Sequence, residues 1–252
     1  MRHDIPLLEF DPDPTAILEP TATVGRRPQL PERVVMCFYA EIVDALPDEA
    51  ERVGSLKAAH GTHPIWRLHR HGHDVAVFHP GVGAPLCAAF LEEAIAMGAR
   101  RIVACGGSGA LTDTLGPGDL VVPTSAVRDE GTSFHYLPPS REVAADPAGV
   151  ATAVALLEER GVPFVAGKVW TTDALYRETR ARVEARRREG CLVVDMEASA
   201  FFAVARFRGV RFAQLLYSGD DLSGGTWDER SWTVSPSRAR TFDLAIELAT
   251  RL

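Results

Sequence analysis

Short apolar runs, each bounded by glycine, proline or polar residues, recur along the chain and are separated by helical patterns. The runs are rich in valine, leucine, isoleucine and aromatic residues, which is typical of strands buried on both faces of a sheet. Seven runs are predicted strands: residues 33–40, 74–80, 101–107, 119–123, 165–172, 191–194 and 211–218.

Three of the intervening segments have the pattern of helices. In the first, Leu86 and Phe90 begin an apolar series at helical spacing that stops at Gly98. The predicted helices are residues 84–99, 176–190 and 235–252. Because strands alternate with helices, the pattern predicts a single α/β domain with a mixed central β-sheet flanked by helices. We assign this domain to residues 31–252 and expect the proline-rich residues 1–30 to form an N-terminal extended segment.

The composition restricts the class of partner. A formal net charge of -7 does not suggest a nucleic-acid binder, which needs a basic face for phosphates. No apolar run approaches the ~20 residues that span a bilayer, and the chain begins with a proline-rich segment rather than an apolar signal sequence. We therefore expect a cytoplasmic protein that acts on a small polar substrate, with no nucleic acid and no membrane as partner.

The histidines and cysteines do not indicate a metal site. The cysteines, Cys37, Cys87, Cys105 and Cys191, are far apart in mostly apolar surroundings and are expected to be reduced core residues. His69, His71 and His73 alternate as on one face of a strand. However, His71-Gly72-His73 is typical of a hairpin turn, and no carboxylate cluster accompanies it. We predict no metal and no cofactor.

Ligands of α/β proteins sit at the carboxyl ends of strands, so the residues after each apolar run are candidate site residues. Four such ends are unusual: residues 79–85, 105–111, 193–199 and 217–225. Glycines in the first two allow a ligand to approach the backbone closely and leave N–H groups for an anion. A simple turn is the alternative explanation of each glycine cluster.

Two acidic pairs mark the other two strand ends. Asp195 and Glu197 lie in CLVVDMEASAFF, residues 191–202, which otherwise has the pattern of buried core. An unpaired charge there costs several kcal/mol, so either both acids cap the next helix or a ligand supplies their partners. Asp220 and Asp221 in YSGDD are either loop residues or part of the same site.

These motifs together resemble a known family. GVGAP at 81–85, the segment from CGGSGAL to GTSFHY at 105–136, and VVDMEASAFFAVARFRGV at 193–210 are similar to motifs of the nucleoside phosphorylase family. That family contains uridine phosphorylases, hexameric purine nucleoside phosphorylases and methylthioadenosine nucleosidases. The resemblance runs from about residue 74 to the C-terminus. It implies a nucleoside phosphorylase-like fold and cleavage of the N-glycosidic bond of a purine or pyrimidine nucleoside.

The resemblance also implies roles for single residues. Glu197 would accept ribose hydroxyls, Met196 would pack against the sugar, and Asp195 would bind the sugar or cap the helix. Asp220, with Asp221 close behind, would be the acid near the base.

Further positions would surround the rest of the substrate. Gly83 belongs to the first glycine turn, and inorganic phosphate would be held by the backbone and hydroxyl of Gly106, Gly107, Ser108 and Gly109. Leu175 and Tyr176 would close over the base. His135 would contact ribose or phosphate, or only pack beside its aromatic neighbours.

Two arginines that bind phosphate in the family's phosphorylases have no counterpart in this chain. Residues 19–21, Glu-Pro-Thr, stand where an early loop supplies the first arginine, and Ala104 replaces the second. Arg26, Arg27 or Arg128 would have to substitute. Because charge-assisted hydrogen bonds are about twice as strong as neutral ones, phosphate is expected to bind weakly without such a cation.

Three interpretations follow, in this order. The first is a phosphorylase, a pentosyltransferase of nucleoside salvage that uses inorganic phosphate as co-substrate and releases free base and ribose 1-phosphate. The second is a hydrolytic nucleosidase, favoured by the replaced arginines. The third is a non-catalytic nucleoside-binding relative, favoured only if Asp220 and Asp221 point away from the pocket. The resemblance further implies a homo-oligomer built from dimers, expected to be a hexamer.

Overall fold

The computed structural model describes residues 3–24, 30–46, 49–224, 226–230 and 235–252. Their strands are β1 (Arg33–Cys37), β2 (Glu51–Ala58), β3 (Gly61–Arg70), β4 (His73–Phe78), β5 (Arg101–Ala110), β6 (Leu120–Asp129), β7 (Glu142–Ala144), β8 (Phe164–Thr172), β9 (Cys191–Asp195) and β10 (Arg211–Asp221). Their helices are α1 (Pro20–Val24), α2 (Ala40–Ala45), α3 (Ala84–Ala96), α4 (Pro147–Glu159), α5 (Arg180–Arg188), α6 (Ala198–Arg208) and α7 (Ser235–Arg251).

Five strands close into a small barrel, and further strands extend it as an open sheet. β5, β9, β8, β6 and β10 pair in this order, and β10 returns to pair with β5. From β5 the sheet continues through β1, β4 and β3 to β2. β4, β1, β5 and β10 run parallel to one another, as do β6, β8 and β9, whereas β5–β9 and β6–β10 are antiparallel. The mixed sheet predicted from the sequence is confirmed.

Alternate residues of the central strands face two separate cores. Val34 and Met36 of β1 belong to the core with α3 and α6, and Val35 and Cys37 belong to the core with α4 and α7. Both faces of β1 are therefore covered by helices, which explains its unbroken apolar sequence. The helices also leave the carboxyl ends of the strands as the place where a ligand can enter.

All seven predicted strands and all three predicted helices are present, with shifted ends. The predicted hairpin turn between β3 and β4 is also confirmed, because His71 and Gly72 both have positive φ. The hairpin β2–β3 was not predicted, because its residues are largely exposed or half-buried and so lack an apolar run. Helix α4 was not predicted either, although Asp146 accepts the N–H of Ala148 as an N-cap.

The N-terminal residues contain little regular structure. A 3-10 turn spans Pro6–Leu8, and the short helix α1 places Val24 in the core beside α3. Across the described residues, the helices are all too short or too polar to traverse a lipid bilayer.

Candidate active site

The carboxyl group of Glu197 lies where two distant segments of the chain meet. Glu197 connects β9 to α6, and its Oε1 accepts the backbone N–H of Gly83 at 2.7 Å. Gly83 immediately precedes α3 and has a φ of 91°, a conformation that a side chain would strain. A Cβ at this position would meet no atom within 4 Å, so the turn borders open space. The glycine turn thus holds the carboxyl at the edge of a space that a ligand can occupy.

Burial sets the electrostatics of this carboxyl. Only 7% of the Glu197 surface is exposed. Desolvation, reinforced by the nearby charge of Asp195, raises the pKa of Glu197 to about 8. The hydrogen bond from the Gly83 N–H lowers this pKa, but by less. Hydroxyl groups that donate to the carboxylate would restore part of the lost hydration and favour the ionised form. The site therefore suits a ligand with vicinal hydroxyls.

Asp195, two residues earlier, is held by the protein itself. Its Oδ1 accepts the Thr171 hydroxyl at 2.8 Å, and its Oδ2 accepts the N–H of Ala198 at 2.8 Å. The Gln214 amide approaches the same Oδ2 at 3.5 Å. Burial raises the pKa of Asp195 to about 6 despite these donors. Of the two roles considered from the sequence, helix capping falls to Asp195, while the Glu197 carboxyl is directed to Gly83.

A chain of buried hydrogen bonds continues from Asp195 into the protein. The Thr171 hydroxyl accepts the N–H of Ser199 at 3.0 Å, and the Ser199 hydroxyl donates to Glu130 at 2.9 Å. Glu130 in turn accepts the N–H of Ser133. These residues are buried, so the network fixes the end of β9 and the start of α6 with little freedom. Met196, between the two acids, is half-buried at the surface of this arrangement.

The glycines of β5 lie in closely packed surroundings. A Cβ at Gly106 would lie 3.1 Å from the Phe38 ring, one at Gly107 would lie 3.2 Å from the Tyr217 ring, and one at Gly109 would lie 2.6 Å from Leu222. The Ser108 hydroxyl is buried and donates to the Tyr217 carbonyl at 3.0 Å. Gly107 alone among residues 106–109 is exposed, so its backbone is the part of this segment that an anion can reach.

The acids at the end of β10 face different partners. Asp220 Oδ2 accepts the indole N–H of Trp227 at 2.8 Å, and its Oδ1 would lie 3.3 Å from a Cβ at Gly109. Since Gly109 pairs with Val194 of β9, Asp220 lies near the segment that leads to Glu197. Asp221 instead forms an ion pair with Arg230, and both of those side chains are largely buried. Asp220 thus lies beside Gly109 with a neutral donor as its partner, whereas Asp221 is engaged by a cation.

Glu178 is a nearby acid that the sequence analysis did not select. It is half-buried in the loop before α5 and lines a cavity of about 270 Å³ together with Trp227 and Leu222. Burial and the charge of Asp220 raise the pKa of Glu178 to about 7. In the sequence it lies two residues after Tyr176, which was expected to close over the base, and no other feature distinguishes it.

The Arg128 guanidinium is engaged by residues of the segment that follows β6. Its guanidinium donates to the Ser133 and Ser140 hydroxyls and to the carbonyls of Pro138 and Leu137, and it stacks on the Phe134 ring at 4.1 Å. Burial lowers the pKa of Arg128. A phosphate could reach this cation only by replacing these bonds. Arg26 and Arg27, the other two cations considered, lie outside the described residues.

Other predicted positions lie at the surface. His135 is exposed at the end of the 3-10 turn Thr132–His135. Leu175 and Tyr176 are 47% and 92% exposed in the 3-10 turn Leu175–Arg177, so neither packs against the protein over the candidate site. A larger cavity of about 950 Å³ lies between α2, the β3–β4 hairpin and α7, and it is lined by a different set of residues.

The chain is similar over most of its length to known proteins. A model of the phosphorylase superfamily matches residues 32–250. A guanosine phosphorylase of Halorubrum lacusprofundi is 27% identical over 187 residues, which cover 72% of this chain and 78% of the relative. A DeoD-type purine nucleoside phosphorylase of Myxococcus xanthus is 30% identical over 181 residues, which cover 71% of this chain and 73% of the relative.

Solved structures show the same fold. Uridine phosphorylase from Vibrio fischeri matches with a TM-score of 0.76 at 24% identity, covering 89% of this chain and 94% of that structure. AMP nucleosidase from Bacteroides thetaiotaomicron matches with a TM-score of 0.72 at 18% identity, covering 88% of each chain.

Proposed function

Because the chain belongs to the phosphorylase superfamily, we propose that it is a nucleoside phosphorylase. It cleaves the N-glycosidic bond of a purine or pyrimidine nucleoside and transfers the ribosyl group to inorganic phosphate. The products are the free base and ribose 1-phosphate, and the protein is a cytoplasmic pentosyltransferase. Phosphate is the co-substrate, and no metal or organic cofactor takes part.

The single observation that carries the proposal is the Glu197 carboxyl, buried and fixed by the Gly83 N–H at 2.7 Å. Cleavage passes through a transition state in which positive charge develops on the ribose. A carboxylate held against the sugar stabilises that charge more strongly than it stabilises the neutral substrate. Because the glycine turn orients the carboxyl before the substrate arrives, little reorganisation is needed during the reaction.

Asp220 supports the same reaction from the other side of the bond. As the bond breaks, its electrons move into the base, so an acid near the base lowers the barrier by protonating it. Asp220 lies at the end of β10 beside Gly109, whose strand partner Val194 precedes Glu197 by three residues. Relatives named guanosine, uridine and purine nucleoside phosphorylase act on different bases, so we keep both base classes in the proposal.

Hydrolysis is a second candidate, and one observation favours it. Ala104 stands fully buried where the resemblance expects a phosphate arginine, and the Arg128 donors are engaged by Ser133, Ser140 and two carbonyls. Without a strong cation, phosphate held by the Gly107 backbone binds weakly. Water would then compete with phosphate for the same reaction.

The two candidates differ in their sugar product. We would incubate the purified protein with a panel of nucleosides, with and without phosphate, and identify the sugar. A phosphorylated sugar that increases with added phosphate up to tens of millimolar supports phosphorolysis, with a slow hydrolytic background. Free ribose as sole product, at a rate that phosphate leaves unchanged, identifies a nucleosidase. Nucleoside binding without cleavage would leave only the non-catalytic interpretation.

The same assay identifies the arginine that binds phosphate. We expect Arg26→Ala or Arg27→Ala to abolish the phosphate dependence of the rate. Arg128→Ala is expected to lower the stability of the fold instead, because four acceptors around a buried guanidinium lose their donor. Loss of phosphate dependence in a stably folded Arg128→Ala protein would assign the cation to Arg128.

We also propose that the protein acts as a homo-oligomer built from dimers, with a hexamer as the expected assembly. Val82, beside Gly83, and Tyr176 are exposed apolar side chains near the candidate site, where a second subunit can cover them. Sedimentation should give a mass that is a multiple of the dimer. An active monomer at micromolar concentration would contradict this assembly.

A further inference from the structure

The cavity beside Glu178 is connected to Asp220 through two neighbouring residues. Trp227 lines this cavity of about 270 Å³ and donates its indole N–H to Asp220 Oδ2 at 2.8 Å. Leu222 lines the same cavity and reaches back towards Gly109, next to Asp220 Oδ1. The cavity therefore lies beside Asp220, the residue that the resemblance places near the base.

The charged groups around Glu178 come from two elements. Arg180, Glu184 and Arg187 of α5 line the cavity, and Asp220 approaches from the end of β10. Burial, and after it the charge of Asp220, raises the pKa of Glu178 to about 7. Glu178 therefore retains its proton in a substantial fraction of the molecules near neutral pH, as a general acid requires.

We propose that Glu178 is a second acid of the active site and that, together with Asp220, it supplies the proton taken up by the leaving base. The inference rests on the proposed cleavage of nucleosides. The bond between ribose C1′ and the base nitrogen breaks, and its electron pair passes into the base. A nitrogen of the base takes the carboxyl proton, while an oxygen of phosphate or water forms the new bond to C1′. The carboxylate left behind regains a proton from solvent.

This role defines the substrate class. A base that is a poor leaving group as an anion gains most from protonation, whereas a stable anion departs without it. Natural nucleosides belong to the first class, and 4-nitrophenyl β-D-riboside belongs to the second because nitrophenolate is a weakly basic leaving group. Glu178 therefore matters for natural nucleosides and not for the nitrophenyl riboside.

The first test compares these substrates in the Glu178→Gln protein. We expect kcat on natural nucleosides to fall about 10²-fold and kcat on 4-nitrophenyl riboside to change less than about threefold. Glu158→Gln, on the exposed face of α4, is the matched control and should leave both rates unchanged. Equal losses on both substrates would overturn the proposal and make Glu178 a structural residue. A wild-type protein that cleaves neither substrate would instead overturn the proposed function.

A second test does not depend on turnover. Trp227 lines the cavity beside Glu178 and contacts Asp220, so its fluorescence, isolated as the difference from Trp227→Phe, should report proton loss from Glu178. We expect a titration with a midpoint near the Glu178 pKa of about 7 that disappears in Glu178→Gln. In Asp220→Asn the midpoint should move to lower pH, because the neighbouring negative charge is removed. A midpoint that persists unchanged in Glu178→Gln would overturn the proposal.

Discussion

Two acidic pairs lie at the ends of β9 and β10, strands that both pair with β5, and the two acids of each pair have different partners. In the β9 pair, Asp195 is bonded to Thr171 and Ala198 of its own surroundings, while Glu197 borders open space beside Gly83. Asp195, the inner acid of this pair, stabilises the fold, and Glu197, the outer acid, faces the candidate site.

In the β10 pair the order is reversed. Asp220 comes first in the chain and lies beside Gly109 and Trp227. Asp221 forms an ion pair with Arg230. The pairs also differ in kind, because neutral donors hold Asp195 and a cation holds Asp221. The comparison teaches that one member of each pair is structural, and that only the surrounding donors reveal which one.

The largest expected effect tests the outer acid of the β9 pair. Glu197→Gln keeps an acceptor for the Gly83 N–H. It removes the negative charge that stabilises the positive charge developing on the ribose. We expect turnover to fall on the order of 10³-fold. Kinetics with a cleaved nucleoside measure the loss, and circular dichroism checks the fold. Near-normal turnover in the folded variant would exclude Glu197 from the chemistry.

The next effect separates the two acids of β10. Asp220→Asn should lower turnover about 10²-fold, because the acid nearest the base is lost. Asp221→Asn should keep turnover within about threefold of wild type but lower the free energy of unfolding by about 1–3 kcal/mol, since Arg230 loses its partner. Parallel kinetics and urea unfolding measure both variants. The opposite pattern would show that Asp221, and not Asp220, faces the substrate.

Much of the fold could be predicted from the sequence because helices cover both faces of the central strands. Their apolar runs are continuous, so β1 and β5 could be found without knowledge of their partners. The hairpin β2–β3 was missed because its residues are mostly half-buried or exposed, and burial is what produces a clear pattern. Hydrophobic patterns therefore predict the central strands of the sheet better than its edge strands.

The candidate site was less predictable because its properties arise between distant residues. Glu197 could be selected because a carboxyl inside an apolar run is conspicuous. Glu178 could not, because its unusual pKa depends on Asp220, 42 positions later in the chain, and on burial. The tight contact of Phe38 with Gly106 likewise joins residues that the sequence does not bring together.

A smaller effect tests the inner acid of the β9 pair through its partner. Thr171→Val preserves shape but removes a donor to Asp195 and an acceptor for the Ser199 N–H. We expect the free energy of unfolding to fall by about 1–3 kcal/mol and turnover to fall less than tenfold. Urea unfolding measures the change, and Thr152→Val on the exposed face of α4 is the control. A loss of turnover as large as that of Glu197→Gln would place Asp195 in the chemistry as well.

The smallest effect is a pH-dependent gain in stability when Glu197 becomes Gln. Burial raises the pKa of Glu197 from its ordinary value of 4.5 to about 8, so the folded state holds a proton that the unfolded state releases. The stability of the wild-type protein is therefore greatest below the ordinary value and falls as pH rises towards 8. Glutamine does not titrate, so the variant lacks this dependence on pH.

The free energy of unfolding of Glu197→Gln, relative to wild type, should therefore increase between pH 5 and pH 8.5, by more than about 1 kcal/mol. Urea unfolding of both proteins without nucleoside, at intervals across this range, measures the difference. A difference that stays constant with pH would mean that Glu197 is ionised throughout in the folded protein. Its carboxylate would then be paired before any substrate binds, and the contrast with Asp195 would disappear.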